Sequence, residues 1–134
     1  MFEVVILTVN PELTRSEFDT LLSHAAPEKQ KRIKQYKFYR DAQNCLLGDI
    51  LTRVEICRAT GINSKNLEFA ANNYGKPFLV NDTRIHFNIS HSEGYVVCAV
   101  SGACVAATQT FAACSAAALL RAIAWLSWWE RSAR

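Results

Sequence analysis

The sequence predicts an α+β domain, a small and mostly antiparallel sheet with one long helix packed across it. Three observations carry that expectation. Short β-branched runs of strand length stand at both ends of residues 1–102, one stretch of apolar residues recurs at three- and four-residue spacing, and turn-forming residues separate the remaining short runs. At 134 residues the chain has room for one compact domain, and with 50% apolar and 20% charged residues it is neither collagen-like nor wholly disordered.

Phe-Glu-Val-Val-Ile-Leu-Thr-Val, residues 2–9, reads as a buried strand that leaves into a turn at Asn10-Pro11. Ser16 is placed to cap a short helix that carries Phe18, Leu21 and Leu22 on one face. Pro27, at a first-turn position followed by Glu28, opens a second helix that holds most of the positive charge. Over residues 41–59 the positions Ala42, Cys45, Leu46, Leu47, Ile50, Leu51, Val54 and Cys57 follow helical spacing. Gly61 stands where a helix end takes a left-handed residue. Residues 67–70, 85–89 and 95–101 read as strands, with turns at residues 72–77 and at Asn81-Asp82.

The composition changes after Gly102. Residues 1–102 carry 12 basic and 11 acidic side chains, whereas residues 103–134 carry three Arg against Glu130 alone, and 11 of those 32 residues are Ala. The expected division is therefore a folded unit over 1–102 and an Ala/Trp-rich tail over 103–134. Within the tail, residues 111–129 are long enough to be weighed as a membrane span. Ala contributes little to insertion, and Arg121 near the centre would cost about 3 kcal/mol. Membrane attachment is not expected; a helix packed on the first part, or a poorly ordered tail, is.

The net charge of +3 is too small to argue for a nucleic acid partner. Five widely spaced Cys, with no CxxC pair and no signal peptide before them, point to free thiols in a reducing cytoplasm rather than to a disulfide framework or a zinc site. His24 and His86 show no metal-ligand spacing and are assigned to packing or solvent.

Three clusters can carry chemistry. Residues 27–40 contain Lys29, Lys31, Arg32, Lys34, Lys37 and Arg40 with aromatics between them. Lys29 and Arg32, three apart on one helix face, can grip a phosphate, although a solvated charged face would read the same way. Tyr74-Gly75-Lys76-Pro77 holds a Lys on a stiff turn. Asn88-Ile89-Ser90-His91-Ser92 presents a histidine and hydroxyls at a strand end, as turn-stabilising groups or as phosphate donors. Adjacent residues of a strand face opposite ways, so Ser90 and His91 make a poor nucleophile and base pair.

Taken in order, Pro-Glu-Lys at 27–29, Asp-Ala-Gln-Asn-Cys-Leu-Leu-Gly-Asp-Ile-Leu-Thr-Arg at 41–53, Asn-Asn-Tyr-Gly-Lys-Pro at 72–77 and Phe-Asn-Ile-Ser-His-Ser-Glu-Gly-Tyr-Val-Val-Cys-Ala-Val-Ser at 87–101 resemble the 4′-phosphopantetheinyl transferases of the surfactin-synthetase type. The resemblance covers residues 1–102. It implies the N-terminal half of a two-lobed fold and a reaction that moves phosphopantetheine from coenzyme A to a serine of an acyl or peptidyl carrier protein, releasing adenosine 3′,5′-bisphosphate. It also implies that Lys29 and Arg32 hold the 3′-phosphate end of coenzyme A. Lys76, Ser90 and His91 reach the nucleotide phosphates in the same comparison, His91 at the pyrophosphate. Cys45 stands where the family often has a Thr on the nucleotide.

The resemblance further implies Mg²⁺, held by a Gly-φ-Asp-φ-Glu strand (φ apolar) and a later Trp-x-x-Lys-Glu helix. Thr108 and Thr110 occupy the two acidic positions of the strand, and Trp128-Trp129-Glu130-Arg131 has the wrong spacing for the helix. Neutral hydroxyls do not replace carboxylates at a pyrophosphate. The expectation is thus a truncated chain with no catalytic or metal-binding residue retained, as a reading-frame shift would produce, self-associating through the face its missing half would cover. A shifted frame beyond Gly102 is expected to encode both missing motifs. The alternatives are a half-domain that only binds coenzyme A, or a membrane-attached or misfolded product of the apolar tail.

Overall fold

The computed structural model describes residues 2–9, 12–92, 94–102 and 110–115. The chain runs β1 (Phe2–Thr8), α1 (Arg15–Leu22), α2 (Pro27–Lys34), α3 (Tyr39–Thr60), a 3₁₀ turn (Ser64–Asn66), β2 (Phe69–Ala71), β3 (Pro77–Leu79), β4 (His86–Ser92), β5 (Tyr95–Ser101) and β6 (Thr110–Ser115). A four-stranded sheet has the order β4-β5-β1-β6, and β2 and β3 form a separate antiparallel pair. β5 is antiparallel to both β1 and β4, while β6 runs parallel to β1. The expected α+β class and mostly antiparallel sheet are what the chain forms.

The apolar alternation of β1 and β5 explains the layer. Val5, Leu7 and Val9 of the first run and Val96, Cys98 and Val100 of the second are all buried on one face. Against that face α3 lays Leu46, Leu47, Ile50, Leu51 and Val54, also buried. Burying side chains of this size is worth on the order of 1.5–3 kcal/mol each. The helix ends at Gly61, whose φ of +72° is left-handed and whose N–H donates to the Cys57 carbonyl at 2.9 Å.

Four local expectations change. The cap of α1 is Thr14, not Ser16: Thr14 Oγ1 accepts from the Glu17 N–H at 3.2 Å and Glu17 Oε1 accepts from the Thr14 N–H at 2.9 Å. That reciprocal box satisfies two helix-start donors, which a cap at Ser16 would leave to water. Pro77, expected as the last residue of the turn at 72–77, instead starts a strand, Pro77–Leu79, because Asn72 closes the reversal earlier; its Oδ1 accepts from the N–H groups of Tyr74 and Lys76 at 2.9 and 3.0 Å. β4 continues through Ser92, since Ser90, His91 and Ser92 keep pairing with Val97, Val96 and Tyr95. Ser90 and His91 therefore lie in a strand and not in the turn after it.

Residues 110–115 of the apolar tail form β6 rather than the start of a helix, completing the free edge of β1. Residues 116–129 of that stretch lie outside the described residues. No helix among the described residues is long and apolar enough to cross a membrane.

Candidate functional site

A groove of about 500 Å³ opens between the start of α2, one side of α3, and the β4 strand with the β2–β3 pair. Two rows of α3 side chains run along it at four-residue spacing: Asn44, Gly48 and Thr52 toward the sheet, and Cys45, Asp49 and Arg53 toward the mouth. Phe87, Ile89 and His91, alternate residues of β4, line the facing wall. Gly48 sets the width. A Cβ there would stand 3.1 Å from the Ile89 Cγ2, so helix and strand approach more closely than an alanine would comfortably permit.

The charges of the groove divide into a used pair and an available set. Arg53 Nε meets Asp49 Oδ2 at 3.2 Å with both side chains largely buried, its Nη1 reaches the Ser64 carbonyl at 3.5 Å, and its guanidinium lies 5.3 Å from the Phe69 ring centroid. Phe69 in turn packs edge-to-face on Phe87 at 5.7 Å. Asp49 and Arg53 thus neutralise each other and brace the β2–β3 pair. Lys29, half-buried in the first turn of α2, and the exposed Glu28 next to it bring one charge of each sign to the groove. That turn starts at Ala26, which offers no side-chain cap, so backbone N–H groups and the positive end of the helix dipole stand beside Lys29.

Tyr36 closes the rim. The Cys45 thiol beside it pushes the Tyr36 hydroxyl above its ordinary pKa, more strongly than nearby Arg32 pulls it down. Among the described cysteines, Cys45 in the groove and Cys98 in the core are free thiols.

The structure brings Lys29, Cys45 and His91 into one groove. Arg32 is exposed on α2, does not line the groove, and stands near the Tyr36 hydroxyl at the rim. Lys76 lines an adjoining cavity of about 270 Å³, which shares Pro77 and Phe87 with the groove. Ser90 is not brought in: β4 alternation that turns Ile89 and His91 toward α3 turns Ser90 the other way. Thr108 lies outside the described residues, and Thr110 is the first residue of β6, paired with Glu3.

Sequence reasoning missed Asn44, Asp49 and Arg53 as groove residues. The four-residue step from Cys45 names the last two, because any helix facing a groove with Cys45 presents Asp49 and Arg53 beside it. Asn44 carries no such signal.

The comparisons with known proteins agree with this arrangement. A family model described as 4′-phosphopantetheinyl transferase, N-terminal, matches residues 10–103. The chain is 42% identical over 101 residues to the 4′-phosphopantetheinyl transferase gsp of Aneurinibacillus migulanus, covering 75% of this chain and 42% of that protein. It is 36% identical over 87 residues to the 4′-phosphopantetheinyl transferase Sfp of Bacillus subtilis (strain 168), covering 65% of this chain and 39% of that one. It therefore spans about two-fifths of the length of these relatives. Among solved structures, a holo-(acyl-carrier-protein) synthase from Bacillus anthracis str. Ames, in complex with CoA (3′,5′-ADP), superposes with a TM-score of 0.56 at 21% identity. That superposition covers 74% of this chain and 91% of the synthase, a likeness of fold. With the motifs of residues 27–101 folded around one groove and the family model matched across them, the chain belongs to the 4′-phosphopantetheinyl transferase family.

Proposed function

We propose that residues 1–102 are a coenzyme A-binding lobe of the phosphopantetheinyl transferase kind. On this reading, the chain by itself holds the donor without transferring its phosphopantetheine. The observation that carries the reading is the single groove in which Lys29, the uncapped start of α2 and His91 converge, with Lys76 in the cavity beside it. Cationic side chains and backbone N–H groups around one cleft suit a ligand with several phosphates. The synthase of similar fold was solved in complex with CoA (3′,5′-ADP), which supports coenzyme A as that ligand.

In the reaction that the family name describes, a serine oxygen of the carrier protein forms a bond to the phosphorus next to the pantetheine arm. The pyrophosphate P–O bond breaks, adenosine 3′,5′-bisphosphate leaves, and the serine proton passes to a base. Lys29, with Arg32 at the rim, would hold the 3′-phosphate, while His91 and Lys76 would reach the other nucleotide phosphates. Their contribution is to bind and orient the donor so that one face of the phosphorus is open to attack. Tyr36 and Phe87 supply apolar surface along the groove.

The groove does not fit a magnesium ion. A hard cation takes several carboxylate and carbonyl oxygens, yet of the two carboxylates that line the groove Asp49 is held by Arg53 at 3.2 Å, which leaves Glu28 as a single available carboxylate next to Lys29, and the other neighbours are the Cys45 thiol and His91. No step of the transfer is therefore assigned to a metal on these residues. The same reading takes an apo acyl or peptidyl carrier protein as acceptor, a reducing cytoplasm as the setting, and self-association of the lobe in isolation.

Calorimetric titration of the full chain tests the proposal. Coenzyme A is expected to bind, dephospho-coenzyme A to bind about tenfold more weakly for want of the 3′-phosphate, and Lys29→Ala to remove that difference. Absence of binding, or binding indifferent to both changes, would overturn it.

A further inference from the structure

The lining of the groove does little to draw a polyanion from a distance. Its Lys and Arg side chains are Lys29 and Arg53, its carboxylates are Glu28 and Asp49, and the two signs balance. Coenzyme A carries about four negative charges at neutral pH, two on its 3′-phosphate and two on its pyrophosphate. A ligand of that charge responds to the field of the protein well before it meets a contact residue. The source of an attractive field lies next to the groove rather than in it.

Positive charge is segregated along this chain. Six of its 15 Lys and Arg stand at residues 29–40 with no carboxylate among them, so the rest of the chain, with nine against 12, is net −3. The fold presents these cations outward. α2 buries Ile33 and leaves Lys31 and Lys34 exposed, and Lys37 follows, exposed, on the connector to α3. None of the three lines the groove, and none forms an ion pair among the described residues. Lys37 Nζ stands 5.4 Å from the ring centroid of the exposed Phe38, a contact that leaves its charge in place. At about 1.5 Å per residue the eight residues of α2 span about 12 Å. That span is shorter than the Debye length of about 30 Å at 0.01 M salt and longer than that of about 8 Å at 0.15 M.

We infer that Lys31, Lys34 and Lys37 steer the polyanionic donor into the groove without touching it, so that they set the rate of association rather than the strength of contact. The inference rests on the coenzyme A reading above. Lys29 belongs to the same helix and lines the groove, so a phosphate drawn to the exposed face of α2 arrives beside the residue that would hold it. The net −3 remainder of the chain repels the same ligand and adds to the direction of the field. A charge that acts through solvent has no bond geometry to satisfy, unlike a side chain that forks onto phosphate oxygens. Any cation at these three positions therefore serves.

Stopped-flow mixing of the full chain with coenzyme A, labelled on its thiol by an uncharged fluorophore and followed by anisotropy, separates association from dissociation. Lys31→Gln, Lys34→Gln and Lys37→Gln together are expected to slow association about tenfold at about 0.02 M salt and to leave dissociation unchanged, the difference fading at about 0.5 M. Arg in place of all three lysines is expected to keep the unaltered rate. With the unaltered chain, association of coenzyme A is expected to fall with salt more steeply than that of dephospho-coenzyme A labelled in the same way, which lacks about two of the four charges. That comparison decides the matter if the Gln variant does not fold. Unchanged association in the Gln variant, a loss that lies in dissociation, or equal salt dependence for the two donors overturns the inference while leaving the coenzyme A reading intact. Failure of the unaltered chain to bind either donor overturns both.

Discussion

The Cβ that Gly48 lacks would stand 3.1 Å from the Cγ2 of Ile89, so the width of the groove is set where α3 crosses β4. Gly48→Ala should gain about 1 kcal/mol of helix propensity and lose a similar amount as Ile89 yields. Thermal unfolding is expected to change little, while titration with coenzyme A weakens several-fold because Ile89, which lines the groove, has to yield. Gly48→Val, with two further methyl groups, is expected to destabilise the chain by about 2 kcal/mol in denaturant unfolding.

Arg53 and Asp49 form the buried ion pair that ties α3 to the β2–β3 pair. Arg53→Ala leaves the Asp49 carboxylate without its counter-charge and the Phe69 ring without its guanidinium. It is expected to cost about 3 kcal/mol in urea unfolding. Removing both charges together should cost less than Arg53→Ala alone, since no uncompensated charge then remains. A double variant worse than either single one would show that the pair contributes more through packing than through charge.

Much of this was legible before any coordinates. Alternation in β1 and β5 and the spacing of α3 name the sheet, the long helix and most of the core, because burial on one face leaves a period in the sequence. β3 and β6 were not legible. Pro77-Phe78-Leu79 is too short to show a period, and β6 is held by pairing with β1 across about a hundred residues. The same limit applies to the site. Lys29, Cys45 and His91 stand in recognisable motifs, whereas the place of Asn44 in the groove depends on the packing of α3 against β4.

Cys45 faces the groove beside the Tyr36 hydroxyl, where its thiol is a weak hydrogen-bond partner. Cys45→Thr replaces it with a hydroxyl of similar size that both donates and accepts. Coenzyme A is expected to bind about fivefold more tightly, with unfolding unchanged to within about 0.5 kcal/mol. Weaker binding would mean that the side chain at this position packs against the ligand rather than bonding to it.

Glu55 gives the fold a dependence on pH of unusual sign. Its side chain is 3% exposed within α3, Oε1 accepts from the Arg58 Nη1 at 3.2 Å, and Oε2 is buried with no hydrogen-bond partner among the described residues. Burial raises its pKa to about 7, against the pull of Arg58 and with Glu3 of β1 adding to the rise. Across the same space Cys98 of β5, 3.8 Å from the Thr52 hydroxyl, has its thiol pushed up to about 11, chiefly by burial. Because the folded pKa of Glu55 lies above the unfolded value, the folded chain binds the extra proton between about pH 4.5 and 7. The contribution is complete below the unfolded pKa and is lost as pH rises through 7, the reverse of a salt-bridged carboxylate. Denaturant unfolding at pH 5 and pH 8 should differ in this sense by on the order of 2 kcal/mol. Glu55→Gln, which keeps the shape and removes the titration, should abolish that difference and stabilise the chain at pH 8. An unchanged pH dependence in the variant would place the titrating group elsewhere.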